Sequence, residues 1–292
     1  MAHKAGYVNI IGKPNAGKST LMNAMVGEKL SIITPKAQTT RHRIHGILNT
    51  PEYQIVFSDT PGLLEPHYRL QEAMLKAARS ALVDADVLIY ITEVGEQPDA
   101  EDGLIRKLSA MKIPLLIAIN KIDLSNQEEV KAAIESWDKV LPGAEKIPLS
   151  ALKNFNVDFL FNRILDHLPE SPPYYPKDAL TDKSERFFAA EMIREKILIH
   201  YRQEVPYSVE IEVESFREEK NLIRIHALIY AEKESQKGIL IGNEGKALKR
   251  VGREARLEME DFFGKKVYLE LRVKVKKDWR NNERLIKKFG YR

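Results

Sequence analysis

The sequence predicts an α/β domain with a mostly parallel sheet, followed by a smaller α+β domain. Three observations point there. Up to about Leu168, short apolar runs alternate with amphipathic helical stretches, the pattern of strands and crossover helices. A polar stretch from 169 to 182 then carries Pro169, Pro172, Pro173 and Pro176. Beyond it come a helical pattern, two alternating strands, two more helices and a last strand.

In chain order, 7–11, 54–58, 87–91, 115–119 and 146–149 read as strands. Most are apolar on both faces, as strands covered by helices on each side must be. Proline density bars both helix and central strand, so the expected division is a first domain over 1–170, a linker over 171–183 and a second domain over 184–292. In the second domain 184–203 reads as a helix, 208–215 and 222–231 as strands, 236–241 and 246–263 as helices, and 266–275 as the closing strand. There is no internal repeat or low-complexity tract. With 292 residues, 43% of them hydrophobic, the chain is long and apolar enough for two cores.

Composition removes several function classes. The chain has no cysteine, which excludes disulfide and thiolate chemistry. Its formal charge of +4, with 30% charged residues, means that any nucleic-acid surface must come from local clustering. No apolar run reaches membrane-spanning length and the N-terminus leads straight into a strand, so a soluble, cytoplasmic chain is expected. His42, His45, His200 and His226 show no metal-ligand spacing with one another, so no histidine-bound metal is expected.

Immediately after the first strand stands Gly12-Lys13-Pro14-Asn15-Ala16-Gly17-Lys18-Ser19, a phosphate loop at every specified position, opening a helix over 19–25. Gly17 lets backbone N–H groups curl around a β-phosphate. Lys18 reaches the β and γ oxygens, Ser19 offers a hydroxyl to Mg²⁺, and Thr20 joins the nucleotide-binding set. The base is read by Asn120-Lys121-Ile122-Asp123, at the C-terminal end of a strand, where parallel sheets place ligands. A carboxylate there accepts from N1–H and the exocyclic amine of guanine, whereas adenine would leave Asp123 unpaired. Ser150-Ala151-Leu152, after the last strand of the domain, fits a loop whose backbone N–H meets guanine O6. The ligands expected are therefore GTP and GDP with Mg²⁺.

Asp59-Thr60-Pro61-Gly62 places a carboxylate near the metal and the Gly62 N–H near a γ-phosphate. In Gln38-Thr39-Thr40-Arg41-His42 a threonine must reach Mg²⁺; Thr40 is preferred and Thr39 stays open. The metal set is thus Ser19, Thr40 and Asp59, and the candidate catalytic residues are Lys18, Thr40, Gly62 and Asn15. Leu63 stands where small signalling GTPases carry a water-orienting glutamine, which predicts slow intrinsic hydrolysis. Asn15 offers a carbonyl oxygen to a monovalent cation such as K⁺; equally, it shapes the loop.

In the second domain Gly242-Asn243-Glu244-Gly245 sits between two helical patterns, followed by Lys246, Lys249, Arg250 and Arg253. A G-x-x-G turn of this kind, with helices and strands in this order and the turn ahead of the last strand, is the type II KH arrangement for single-stranded RNA. Glu244 is a departure, since a carboxylate facing phosphate repels it. Lys274, Lys276, Lys277, Trp279 and Arg280 serve either RNA stacking or packing.

Together these motifs resemble the bacterial Era GTPase family over essentially the whole chain. The resemblance implies a GTP-hydrolysing switch whose KH domain binds the 3′ end of small-subunit ribosomal RNA. It also implies that GTP favours RNA binding, and that the protein assists rRNA processing and small-subunit biogenesis. Some members associate peripherally with the cytoplasmic face of the cell membrane, and a monomer is expected. Two other readings stay open: a membrane-associated cell-cycle signalling GTPase, and an RNA-binding protein that uses GTP only for folding.

Overall fold

A computed structural model describes residues 2–291, and in it the chain forms two compact units. The first holds the chain up to Ser31, Thr40–Glu65 and Met74–Asp182; the second holds Ile32–Thr39, Pro66–Ala73 and the chain from Lys183 onward.

Unit 1 is built on a six-stranded sheet: β1 (Lys4–Gly12), β2 (Ile44–Asn49), β3 (Tyr53–Asp59), β4 (Val87–Glu93), β5 (Leu115–Asn120) and β6 (Glu145–Pro148). Their spatial order is β2-β3-β1-β4-β5-β6. All neighbours run parallel except β2, which pairs antiparallel with β3. The helices are α1 (Lys18–Val26), α2 (Arg69–Ser80), α3 (Gly103–Ser109), α4 (Gln127–Val140) and α5 (Val157–His167), with the unit boundary at Ala73/Met74 falling inside α2. Parallel strands need such helical crossovers, which cover both faces and leave β1, β4 and β5 almost wholly buried. One core cluster gathers Tyr90, Ile117, Ile119 and Trp137, the Tyr90 and Trp137 rings lying 5.2 Å apart. All five expected strands are present within a few residues, and β2, at the sheet edge, is an addition to them.

The proline-dense segment is no free connector, because residues up to Asp182 belong to unit 1. Ala5 N–H donates to Pro169 O, Ile47 N–H to Leu180 O, and Gln54 Oε1 accepts from the backbone N–H groups of Tyr174 and Tyr175. Several of its polar groups thus bond outward to the domain.

Unit 2 contains α6 (Glu185–His200), β7 (Glu210–Glu218), β8 (Leu222–Ala231), α7 (Glu234–Ile241), α8 (Lys246–Phe263), β9 (Lys266–Val275) and α9 (Glu283–Lys288). β8 is the middle strand, antiparallel to β7 and parallel to β9, so α7 and α8 form the crossover. Val251, Ala255 and Met259, four residues apart on α8, are fully buried with Phe188, Ile193 and Ile197 of α6 among the core residues. Trp279 is also fully buried, and its Nε1–H donates to Ser208 O at 2.8 Å. Of the two readings of that tail residue, packing is the one realised, because a ring closed off from solvent has no face to offer a base. Among the described residues no helix is long and apolar enough to cross a membrane.

Candidate functional site

The phosphate loop runs from the end of β1 to the start of α1, so the helix N-terminus and its unpaired N–H groups open onto the loop. Gly17 caps α1 with φ 105°, and a Cβ there would lie 2.2 Å from Asn120 Nδ2, so neither the backbone nor the space admits a side chain. Lys18 is buried, its ammonium donating to Gly12 O at 3.1 Å and Lys13 O at 2.7 Å. Burial lowers its pKa to about 8, with the Asp59 carboxylate opposing the shift. Lys13 pairs with Glu96 at 2.8 Å, and Glu96 also accepts from Thr92 Oγ1 at 2.7 Å. Asn15 adopts φ 62°, a left-handed conformation asparagine tolerates, which gives it a conformational role of its own.

Ser19, Thr40 and Asp59 converge. Ser19 Oγ donates to Asp59 Oδ2 at 2.6 Å and lies 2.9 Å from Thr40 Oγ1, which in turn donates to Asp59 Oδ2 at 3.2 Å. Asp59 is completely buried, and its Oδ1 has no hydrogen-bond partner among the described residues. Burial raises its pKa, while Ser19, Lys18, Ser31 and Thr40 pull it down. An orphaned buried carboxylate oxygen beside two hydroxyls is an oxygen donor set that fits Mg²⁺. The two candidate threonines face different ways. Thr39 Oγ1 faces its own loop, 2.6 Å from Thr34 Oγ1 and donating to Lys36 O at 2.6 Å, so Thr40 is the one turned toward Ser19 and Asp59.

Thr60 Oγ1 is tied to Ile10 O at 2.8 Å, and a Cβ on Gly62 would come within 2.8 Å of Pro14, so Pro61 and Gly62 pass close against the phosphate loop. Asn120 is a brace between distant loops: Nδ2 donates to Ala16 O at 2.8 Å, and Oδ1 accepts from Ala151 N–H at 2.9 Å. Lys121, at φ 62°, pairs with Glu93, and Asp123 lies exposed in the short helical turn Ile122–Leu124, clear of the core and open to a ligand. Ser150 and Ala151 are buried, whereas Leu152 is exposed.

In unit 2, the turn between α7 and α8 carries Gly242 at φ 72°, Glu244 at φ 51° and Gly245 at φ 73°. Asn243, Glu244, Lys246, Lys249, Arg250 and Arg253 are all exposed, and the four cations fall at i, i+3, i+4 and i+7, one face of α8. The charge of Glu244 is partly answered by Lys246, whose ammonium sits 2.8 Å away. Residues that the sequence does not single out also matter here: Arg194 and Glu191 form a buried pair on α6, and Arg194 donates to the carbonyls of Gln38 and Thr39. Charged residues inside the apolar helix pattern Phe187-Phe188-Ala189-Ala190-Glu191-Met192-Ile193-Arg194 are the signal that could have found them.

Comparison with known proteins agrees with this arrangement in both units. Residues 7–121 match the family described as 50S ribosome-binding GTPase, and residues 204–280 match the KH domain family. The GTPase Era of Ruminiclostridium cellulolyticum is 43% identical, the alignment spanning 100% of this chain and 99% of that one. Two solved structures, a point variant of Aquifex aeolicus Era bound to GDP·AlF4⁻ and Era in complex with MgGDPNP and nucleotides 1506–1542 of 16S ribosomal RNA, each superpose with a TM-score of 0.94. Each has 41% identity and 99% coverage of both chains. Identity at that level along the full length, with a phosphate-loop domain and a KH domain in the same order, means that the chain belongs to the Era family of GTPases.

Proposed function

We propose that this GTPase uses the nucleotide site of unit 1 to control binding of the 3′ end of small-subunit ribosomal RNA by the G-x-x-G turn of unit 2, in the service of rRNA processing and small-subunit assembly. The observation that carries the reading is the convergence of the phosphate loop, the Ser19–Thr40–Asp59 cluster and the Asn120–Asp123 base site at the carboxyl end of one sheet, in a chain that also presents a cationic G-x-x-G helix. A structural relative holding RNA 1506–1542 and MgGDPNP supports the choice of ligand. It outweighs the mention of 50S in a family description that covers only residues 7–121.

Gly12, Lys13, Pro14, Asn15, Ala16, Gly17 and Thr20 wrap the phosphates with backbone N–H groups, and Lys18 delivers its ammonium to the β and γ oxygens. Ser19, Thr40 and Asp59 would hold Mg²⁺, which would supply positive charge to offset the negative charge on the phosphates. Gly62 offers its N–H to the γ-phosphate. With Leu63 in place of a glutamine, no side chain at that point orients the attacking water, and unassisted turnover is slow. Asp123 selects guanine, and Ala151 N–H, held by Asn120, meets O6. Asn15 is the residue to probe for K⁺, by comparing single-turnover rates in K⁺ and Na⁺.

The test is fluorescence anisotropy of a labelled RNA of the 1506–1542 sequence with the protein loaded with GDP or with a non-hydrolysable GTP analogue. Tighter binding with the analogue, abolished by Gly242→Asp, is expected. Equal affinity in both states would reduce the molecule to an RNA-binding protein that merely contains a nucleotide. Peripheral membrane association, with the protein otherwise cytoplasmic, rests on kinship alone, and flotation with anionic vesicles tests it.

A further inference from the structure

We infer that Arg43 is a positioning residue of the nucleotide site, holding Asp59 and the root of the segment that carries Thr40 through one hydrogen-bonded cluster on the opposite face of the sheet. The inference rests on the reading above that Thr40 and Asp59 serve the metal, and every residue it uses lies in unit 1.

The cluster begins with two polar residues where covered strands would ordinarily carry apolar ones. Asn9 stands among Val8, Ile10 and Ile11 of β1, Ser58 stands beside Phe57 in β3, and all of them are fully buried. Asn9 and Ser58 lie opposite each other in the β1–β3 pairing; the next rung is Ile10–Asp59, to which β2 adds Ile44. Successive side chains of a strand point to opposite faces. Asn9 and Ser58 therefore sit on one face, and Asp59, one residue on, sits on the other.

Arg43, the residue before Ile44, supplies donors to those buried groups. Its Nη2 donates to Asn9 Oδ1 at 3.1 Å and to Ser58 Oγ at 2.9 Å, and its Nε donates to Ser58 Oγ at 3.2 Å. Asp84 grips the guanidinium with both oxygens, taking Nη1 on Oδ2 at 2.7 Å and Nη2 on Oδ1 at 2.9 Å. Asn9 Nδ2 closes the ring, donating to Asp84 Oδ1 at 2.8 Å and to Ala81 O at 2.7 Å. The arginine side chain is only 14% exposed, so its plane is set by partners on β1, on β3 and between α2 and β4.

The segments so joined are those a metal site needs held. Ser58 adjoins Asp59, and Asn9 lies three residues before Gly12, where the phosphate loop begins. Between Thr40 and Arg43 stand only Arg41 and His42, and Arg41 is itself buried. A fork fixed at residue 43 leaves two residues of chain to aim the Thr40 hydroxyl. Apolar residues at 9 and 58 would fill the same sheet but tie none of these segments together. A misplacement of about 1 Å at a reacting centre can lower a rate by about a hundredfold.

The deciding variants are Arg43→Lys, which keeps a charge and loses the fork, and Asp84→Asn, which leaves Arg43 in place and weakens its grip. Each is measured for single-turnover GTP hydrolysis, for binding of a fluorescent non-hydrolysable GTP analogue across a Mg²⁺ titration, and for thermal unfolding, beside Thr40→Ala. In Arg43→Lys, hydrolysis should fall by roughly ten- to a hundredfold, and half-maximal binding of the analogue should need several-fold more Mg²⁺. Affinity at saturating Mg²⁺ should stay close to that of the unchanged protein, and Asp84→Asn should move in the same direction by less. A lower melting temperature with hydrolysis and Mg²⁺ dependence unchanged would make the cluster ordinary packing and overturn the proposal. A loss of hydrolysis matched by an equal loss of analogue affinity at saturating Mg²⁺ would overturn it too. If Arg43→Lys does not fold, Asp84→Asn, at a half-exposed position, decides by the same criteria. Normal hydrolysis and normal Mg²⁺ dependence in Thr40→Ala would instead sink the underlying assignment of the metal site, a failure visible with Arg43 untouched.

Discussion

Both units carry a glycine turn at a helix N-terminus, yet they support it in opposite ways. At Gly17 a Cβ would strike Asn120 Nδ2 at 2.2 Å, and Asn120 itself is bonded to Ala16 and Ala151, so the loop is clamped by the rest of its domain. At Gly245 a Cβ would meet nothing within 4 Å among the described residues, and at Gly242 the nearest obstacle, at 2.6 Å, is Ala247 of the adjoining helix. A preformed cradle of this kind suits a compact ligand of fixed geometry, and a projecting turn suits a long strand. Rigidity in unit 2 is invested away from the turn, in the tail, where Trp279 is buried and Tyr291 Oη donates to Glu210 at 2.8 Å.

The largest break of this contrast is Gly17→Ala. It should lower GDP affinity by about ten- to a hundredfold, since at least one charge-assisted bond worth about 1.5 to 3 kcal/mol is lost with the loop geometry. Calorimetry reads that loss, and RNA affinity of the nucleotide-free protein should be unchanged. Trp279→Phe leaves Ser208 O buried without its donor and should cost about 1 to 3 kcal/mol in urea unfolding of unit 2. RNA affinity of the folded protein should hold, and a drop there would return the tail to the RNA surface. Gly245→Ala should cost only about 1 to 2 kcal/mol, the penalty of a left-handed alanine, with GDP binding untouched; a loss as severe as at Gly17 would erase the contrast.

The smallest effect concerns the tail. Glu212 accepts from Tyr230 Oη at 2.7 Å and pairs with Lys288 at 2.7 Å. Burial raises its pKa, but Lys288 and Tyr230 outweigh burial and hold it below the usual 4.5. The carboxylate therefore stabilises the fold above about pH 4.5 and loses that contribution as the pH falls through its depressed value. Glu212→Gln should cost less than about 1 kcal/mol at pH 7, the pair being partly exposed. Unfolding in urea at pH 7 and again near pH 3 should show the difference between the two proteins shrinking.

The phosphate loop, the guanine motif and the G-x-x-G turn are legible in the sequence because each is a contiguous string whose chemistry is local. The strands of the parallel sheet are legible because burial on both faces leaves unbroken apolar runs. β2 is not, since Gly46 interrupts Ile44-His45-Gly46-Ile47-Leu48-Asn49 in the middle, and the reason for that glycine is remote: a Cβ would press within 2.8 Å of Val26. The proline segment declares that it is neither helix nor central strand, but local composition is silent on whether an extended chain is docked. The assignment of 32–39 and 66–73 to unit 2 depends on contacts more than a hundred residues distant in sequence, such as Lys36 with Leu198 and Tyr201 or Arg69 with Asn281 and Glu283. The choice between Thr39 and Thr40 turns on which hydroxyl its own loop has already claimed.

The amide of Asn120 ties the Ala16 carbonyl, in the loop before α1, to the Ala151 N–H, in the loop after β6. Two segments more than a hundred residues apart in sequence thus share one side chain as their tie. Turning that one side chain would break both bonds together, with no strand or helix disturbed.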